Sequence, residues 1–193
     1  PSAVPLDNPG NVYARSVPDG PNEDLDRLES ILIGALGAAR ERVVIVTPYF
    51  LPSRELLAAM KSASLRGVDL TVVLPGTNNL PFVHWASRNV LWELLHWDVC
   101  VRYQAPPFAH TKLFLVDNEY VQIGSANIDP RSLRLNFELS VELYDRDFST
   151  VVQRYVDEEC LVDSRRVTLE ELEARPLWQR IRDAIFWLMS PYL

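Results

Sequence analysis

Three short segments with strand-like composition, separated by segments with helical periodicity, constrain the fold of this chain more than any other feature. The three segments are residues 43–46, 68–74 and 99–103. The first is a continuous apolar run, which is typical of a strand that is buried on both faces of a sheet. Because such strands alternate with helices, the sequence predicts an α/β sandwich with a mixed central sheet and helices on both faces.

Helical patterns fill the segments between and after these strands. A helix-start signal at residues 20–22 precedes apolar residues that recur at helical spacing, namely Leu25, Leu28, Leu32, Leu36 and Ala39. Ser53 is suited to cap the next helix, and Gly67 is suited to end it. Further helices are predicted over residues 80–97, near 147–160 and near 176–189.

A β-hairpin carries the most specific residues in the chain. Residues 111–117 and 119–124 are two runs of strand-forming residues, joined by an Asp-Asn turn pair. Side chains two positions apart on a strand face the same way. We therefore expect His110 and Lys112 to project together from the start of the first hairpin strand.

Three more polar residues are expected at the same end of the sheet. Ser125 and Asn127 follow the second hairpin strand and share one face if the backbone stays extended. Gly124 has no side chain, so a ligand or another strand can approach its backbone closely. Glu138 stands near the start of a strand predicted over residues 137–144, from which it can reach the same neighbourhood.

This set of side chains suits chemistry at an anionic phosphate. A histidine attacks phosphorus when one ring nitrogen is free and the other is held by an acceptor, a role that suits Glu138. Lys112 supplies positive charge for the phosphate oxygens, and Ser125 and Asn127 supply hydrogen-bond donors. Only one histidine lies here, so the inventory requires no metal and no other cofactor.

These residues resemble the HKD motif of the phospholipase D superfamily, H-x-K-x4-D-x6-G-S-x-N, at all six fixed positions. The resemblance implies a two-step phosphodiester transfer through a covalent phosphohistidine. It implies that His110 is the nucleophile, that Lys112, Ser125 and Asn127 contact the phosphate, and that Glu138 orients the histidine.

Asp117 matches the aspartate of the motif, so the resemblance gives His110, Lys112 and Asp117 as the catalytic residues. An Asp-Asn pair is also an ordinary turn, so structural and functional interpretations of Asp117 have nearly equal weight. We expect a structural or indirect role for this carboxylate rather than transfer of a proton.

The resemblance extends to the C-terminal half of bacterial cardiolipin synthases. It is carried by residues 43–52, 64–70 and 129–138 and by the tail from residue 175, and it spans roughly residues 12–193. It implies a phospholipase D-like fold and a phosphatidyltransferase that makes cardiolipin from phosphatidylglycerol. The alternatives are another phosphodiesterase of the superfamily, either a lipid hydrolase or a homodimeric nuclease, and a half-domain without catalysis that docks on membranes or partners.

The chain contains half of the site that this family builds from two HKD copies. His84 and His96 do not begin a second H-x-K pattern, and we expect both on helix surfaces without a chemical role. A missing N-terminal half or a second copy of the chain would complete the site. The first residue is proline, which favours a fragment. We predict a linker or edge segment over 1–20, with a short apolar stretch at 12–14, and one domain over 21–193.

Composition limits the partners and the compartment. The net charge of −7 argues against a nucleic-acid partner and also against simple electrostatic attraction to anionic lipid. The resemblance to cardiolipin synthases implies a phospholipid substrate and a membrane surface. The sequence contains no run of about 18 apolar residues, so no membrane span is predicted.

Cys100 and Cys160 have no metal or redox spacing and are expected to be reduced and mostly buried. The resemblance implies a full-length protein at the bacterial cytoplasmic membrane, with a soluble catalytic domain that faces the cytoplasm.

The apolar tail over residues 176–189 leaves two interpretations open. It contains tryptophan, phenylalanine and aliphatic residues with two arginines and one aspartate between them. Packing against the domain is the first interpretation, and an interfacial helix that lies on a membrane is the second.

Overall fold

The computed structural model describes residues 10–21 and 26–190 and contains, within those ranges, a mixed sheet of eight strands. The strands are β1 Tyr13–Asp19, β2 Arg42–Val46, β3 Asp69–Pro75, β4 Cys100–Gln104, β5 Leu113–Val116, β6 Tyr120–Gly124, β7 Glu138–Tyr144 and β8 Arg165–Arg166. Their order in space is β1-β7-β6-β5-β2-β3-β4-β8. Strands β2, β3 and β4 are parallel, and the other pairs are antiparallel.

Seven α-helices lie within the described ranges. They are α1 Arg27–Ala38, α2 Arg54–Leu65, α3 Pro81–His96, α4 Pro130–Arg134, α5 Arg146–Tyr155, α6 Leu169–Glu173 and α7 Leu177–Leu188. A π-helical segment, Val156–Leu161, continues from α5. None of the helices within the described residues is both long and apolar enough to cross a bilayer.

Helices cover both faces of the sheet, as the sequence predicts. The larger apolar core packs α1, α2 and α3 on one face, with Leu36, Met60 and Leu91 fully buried. The smaller core packs α5 and the π-helical segment on the other face, against Val44 and Val46 of β2. Strand β2 is buried on both sides because its residues face these two cores in turn.

Local signals in the sequence explain where several elements begin and end. The Ser53 hydroxyl accepts a hydrogen bond from the Leu56 backbone N–H and caps α2. Gly67 has a φ of +90°, which explains the end of that helix. Helix α1 begins at Arg27, later than its start signal, and Leu25 lies outside the described residues.

The hairpin turn is confirmed and has a second function in the fold. Asp117 and Asn118 have φ values of 51° and 54°, as a two-residue hairpin turn requires. The Asp117 carboxylate accepts hydrogen bonds of 2.7, 2.8 and 2.8 Å from the backbone N–H groups of Arg40, Glu41 and Arg42. It therefore ties the hairpin to the start of β2.

The structure differs from the sequence predictions at several short elements. The edge strand predicted near residues 12–14 is the seven-residue strand β1, which pairs with β7 along its whole length. Strand β8 and helices α4 and α6 were not predicted. Each has only two to five residues, too few for a periodic pattern to be recognised.

Candidate active site

The register of the sheet brings the candidate residues to one edge. Val46 at the end of β2 pairs with Leu113 at the start of β5, and Leu113 pairs with Ile123 of β6. Gly124 pairs with Ser140 near the start of β7. The loop before β5, the loop after β6 and the start of β7 therefore meet beside the end of β2.

Gly124 allows β6 and β7 to approach closely at this edge. A Cβ atom at this position would lie 2.3 Å from Ser140 Oγ and 2.9 Å from the carbonyl oxygen of Leu139. Only a residue without a side chain fits there. The glycine of the HKD motif thus lies where β6 and β7 leave no space for a side chain.

His110 and Lys112 project together, as their spacing predicts. Lys112 Nζ lies 3.0 Å from His110 Nδ1 and donates a 2.9 Å hydrogen bond to the His110 carbonyl oxygen. Burial and the charge of Lys112 both lower the pKa of His110. Because an ammonium group only donates hydrogen bonds, this contact assigns the acceptor role to Nδ1 and favours the neutral ring over the imidazolium form.

Lys112 is the cationic centre of this edge. Burial lowers the pKa of its amine, whereas the negative charges of Glu138 and Asp129 raise it. Glu138 and Asp129 thus act on the ammonium group from two different elements, β7 and the N-terminus of α4. A phosphate that entered this edge would meet the ammonium group beside the imidazole ring.

Ser125 and Glu138 are joined by a hydrogen bond. The Ser125 hydroxyl donates to the Glu138 carboxylate and accepts a 3.0 Å bond from the Leu139 N–H. Asn136 Nδ2 donates a 3.2 Å hydrogen bond to the other oxygen of Glu138. Within the described part of the chain, the carboxylate is held by Ser125 and Asn136, and the expected contact with His110 is not made.

Asn127 lies deeper than Ser125. Its Nδ2 donates a 3.0 Å hydrogen bond to Ser132 Oγ. Its Oδ1 and the Nε2 of Gln122 are buried without a hydrogen-bond partner among the described residues. Both residues and Lys112 line a small cavity of about 30 Å³ between the site and the core. Gln122 was not predicted, because a strand position alone gives no sign that its side chain turns towards the site.

Asp117 stands apart from the other members of the motif. It follows β5 and Lys112 precedes β5, so the whole strand separates the aspartate from the edge at which Lys112 lies. Its carboxylate is already bonded to three backbone N–H groups. The structure thus brings together His110, Lys112, Ser125, Asn127 and Glu138 but leaves Asp117 at the opposite end of the hairpin.

Aromatic rings and one acid near the site were missed by sequence reasoning. The rings of Tyr49 and Phe108 lie 6.0 and 5.9 Å from the His110 ring, centroid to centroid. Tyr49 follows the end of β2, the edge at which sites form in α/β sheets, and this position was an available signal. Asp129 caps α4 through a 2.6 Å bond from the Ser132 N–H, and burial raises the pKa of its carboxyl group.

The two remaining histidines lie on α3 and pack against other rings. His84 lies 5.5 Å from Tyr103 and is half-buried rather than on the helix surface, so the prediction of a surface position is wrong for it. Burial and the charge of Arg88 lower the pKa of His84 to about 4. His96 is exposed and stacks on Trp92 at 5.5 Å. Within the described residues, no three His, Cys, Asp or Glu side chains are grouped to hold a metal ion.

The mixed sheet and the cluster at its edge define a phospholipase D-like domain. Residues 32–160 match the family described as "Cardiolipin synthase, PLD-like domain". The major cardiolipin synthase of Bacillus subtilis (strain 168) is 36% identical over 184 residues, which cover 95% of this chain and 38% of the relative. Cardiolipin synthase A of Klebsiella pneumoniae (strain 342) is 37% identical over 194 residues, which cover 98% of this chain and 39% of the relative. The chain therefore belongs to the family of cardiolipin synthase PLD-like domains.

Solved structures share the fold at low sequence identity. Phosphatidylserine synthase from Haemophilus influenzae Rd KW20 has a TM-score of 0.75 and 17% identity, with 97% of this chain and 49% of that chain covered. The phospholipase D family member Nuc from Salmonella typhimurium has a TM-score of 0.67 and 19% identity, with 81% of this chain and 99% of that chain covered. The chain itself spans less than two fifths of the length of the cardiolipin synthases that it matches.

Proposed function

We propose that this chain supplies one half of the active site of a phosphatidyltransferase that makes cardiolipin from phosphatidylglycerol. The observation that carries the proposal is the convergence of His110, Lys112, Ser125 and Asn127 at one edge of the sheet. The identity to two cardiolipin synthases over nearly the whole chain supports the same reaction.

The proposed reaction has two steps at phosphorus. A ring nitrogen of His110 attacks phosphatidylglycerol, a P–N bond forms, and the P–O bond to the headgroup glycerol breaks. Glycerol leaves with a proton from an acid in the second half of the site. A hydroxyl group of another phosphatidylglycerol then attacks phosphorus, gives up its proton and breaks the P–N bond. Cardiolipin and free histidine result.

Each residue of the motif has a proposed part in these steps. Lys112 neutralises the phosphate oxygens, and Ser125 and Asn127 donate hydrogen bonds to them. When the phosphate draws Lys112 away from His110 Nδ1, the ring proton moves from Nε2 to Nδ1. Nδ1 can then donate to Glu138, which orients the ring, and Nε2 is free to attack phosphorus.

We propose that Asp117 acts on catalysis only through the fold. Its three backbone hydrogen bonds hold the hairpin whose first strand begins beside His110 and Lys112. This arrangement supports a structural role rather than contact with the substrate.

The second half of the site is proposed to dock beside Glu138. Phe137 is 87% exposed there, and its neighbours Leu135 and Leu139 are also largely exposed. Large apolar side chains around a polar site are typical of a surface that another protein covers. The N-terminal half of a longer chain is the proposed partner, with a second copy of this chain as the alternative.

We also propose that the full-length protein works at the bacterial cytoplasmic membrane with this domain facing the cytoplasm. The proposed substrate is a membrane lipid, and the relatives come from bacteria. Cys100 and Cys160 are both unpaired, which suits the reducing cytoplasm. The net charge of −7 argues against a nucleic acid as the alternative substrate.

The test is to incubate the full-length protein with phosphatidylglycerol and measure cardiolipin and glycerol. We expect equimolar products, an acid-labile phosphohistidine during turnover, and loss of both with His110→Ala. His96→Ala is the matched control and should keep wild-type turnover, because its ring is exposed and stacks on Trp92. Phosphatidic acid in place of cardiolipin would indicate a lipid hydrolase instead, and no lipid product would refute the proposal.

A further inference from the structure

Helix α7 exposes its apolar face to solvent. Six residues along this segment are 49% to 69% exposed, and all are apolar, namely Leu177, Trp178, Ile181, Ile185, Leu188 and Met189. Their spacing places them on one side of the helix, since successive residues turn by about 100°. A surface helix normally turns such a face towards the core, so an exposed face of this kind marks a docking surface.

The opposite side of α7 is anchored by a buried carboxylate. Asp183 is 1% exposed and accepts hydrogen bonds from Arg88, Arg175 and Arg182. A buried carboxylate with these partners fixes the rotation of the helix about its axis, because any other rotation would leave the charge unpaired. The outward direction of the apolar face is therefore built into the fold.

Helix α7 shares a small apolar cluster with the rim of the active site. Its residues Phe186 and Trp187 pack against the buried cluster around Val83, and Tyr49 packs against the same cluster. The Tyr49 ring lies 6.0 Å from the ring of His110. The exposed apolar face thus belongs to an element that is linked through one buried cluster to the ring beside His110.

The segment that forms this face has a net charge opposite in sign to that of the whole chain. From residue 175 to 193 there are three arginines, Arg175, Arg180 and Arg182, and one carboxylate, Asp183, so this segment has a net charge of +2. The whole chain has a net charge of −7. The guanidinium group of Arg182 lies 5.3 Å from the Trp178 ring centroid, beside the apolar face. Apolar side chains bordered by arginine suit an anionic lipid surface.

We propose that the exposed face of α7 docks on an anionic phospholipid bilayer and holds the phosphate site at the lipid headgroups. The proposal rests on the proposed function, because a phospholipid substrate lies in such a bilayer. The second half of the site has a different apolar surface available, around Phe137 beside Glu138. The exposed face of α7 is therefore not needed to dock the second half of the site and can contact the membrane.

The test is flotation of the full 193-residue chain with vesicles of phosphatidylcholine that contain or lack phosphatidylglycerol. The double variant Ile181→Ser/Ile185→Ser should weaken partition about tenfold or more, because two exposed side chains no longer enter the apolar layer. Leu65→Ser and Val151→Ser remove equally exposed apolar residues from α2 and α5 and should partition as the wild type does. Circular dichroism checks that every variant is folded.

A second measurement locates the contact. Vesicles with bromine-labelled acyl chains should quench the fluorescence of the wild type more than that of Trp178→Phe. Equal partition of the wild type and the double variant would overturn the proposal. So would a wild-type dimer, shown by its solution mass, that the double variant converts to a monomer, because the face would then join two copies.

His110→Ala separates this proposal from the reaction. It should leave partition unchanged, so a failure of docking appears in flotation and a failure of the proposed function appears in the lipid-product assay.

Discussion

Lys112 places its ammonium nitrogen 3.0 Å from Nδ1 of His110, so the cation faces the ring that is proposed to attack phosphorus. The contact disfavours the imidazolium form, since two positive charges would then lie side by side. The lysine therefore favours the neutral form of the His110 ring.

Removal of this charge should raise the pKa of His110. Burial and Lys112 both lower it below 6.5 in the folded chain, so Lys112→Met should move the titration midpoint back towards that value. The midpoint is measured by NMR of the histidine ring protons, with the His110 signal assigned by His110→Gln. Lys61→Met, which removes a lysine from α2, is the control and should leave the midpoint unchanged. A midpoint that falls in Lys112→Met would contradict the arrangement.

Asp117→Ala should cost stability rather than chemistry. The variant loses a carboxylate that accepts three backbone hydrogen bonds and also places alanine at a φ of 51°, so we expect a loss of about 2–4 kcal/mol in the free energy of unfolding. Urea denaturation of the chain measures the loss, and kcat of the full-length enzyme should stay within about threefold of the wild type per folded molecule. Asn118→Gly, at the adjacent turn position, should be nearly neutral. A lost kcat with unchanged stability would show that Asp117 takes part in the reaction.

Gly124→Ala should disturb the site through the sheet. The added methyl group would meet Ser140 and the Leu139 carbonyl, which must move apart, and we expect a loss of about 1–3 kcal/mol in unfolding free energy. The displacement acts next to Ser125, so turnover of the full-length enzyme should fall as well. The matched control is Gly34→Ala on α1, where a Cβ meets no atom within 4 Å. That variant should be more stable than the wild type by about 0.5–1 kcal/mol, because alanine favours the helix.

Local rules predict much of the fold because they depend on few residues. The apolar run of β2, the Ser53 cap and the Asp117-Asn118 turn need only neighbours in sequence, and all three agree with the structure. The pairing of β8 with β4 joins residues about 60 positions apart and has no local signal. Short elements that depend on such pairing cannot be found from periodicity.

The site was predictable to the extent that strand geometry decides it. The alternation of side chains predicts that His110 and Lys112 meet, and they do, although both lie in the loop before β5 rather than on the strand itself. The hydrogen-bond partners of the Glu138 carboxylate were not predictable in the same way. Ser125, Asn136 and His110 all come to the same edge of the sheet, and strand alternation does not decide among them. Tyr49 lies in the loop after β2, about 60 residues before His110, and the antiparallel pairing of β2 with β5 brings that loop to the ring.

His84 should make the chain less stable in acid. Burial, together with the charge of Arg88, lowers its pKa from 6.5 to about 4, so the unfolded chain binds a proton more tightly than the folded chain does. The stabilisation is therefore complete above pH 6.5 and is lost as the pH falls towards 4. A shift of one pKa unit corresponds to about 1.4 kcal/mol of stability, and because the ring is partly exposed to solvent we expect a loss of about 2 kcal/mol between pH 6.5 and 4.

His84→Gln should lose less stability than the wild type between pH 6.5 and 4, measured by urea denaturation at each pH. His96→Gln removes an exposed histidine from the same helix and should keep the wild-type slope. If His84→Gln and the wild type lose stability in parallel, the protonation of His84 is not what weakens the fold in acid.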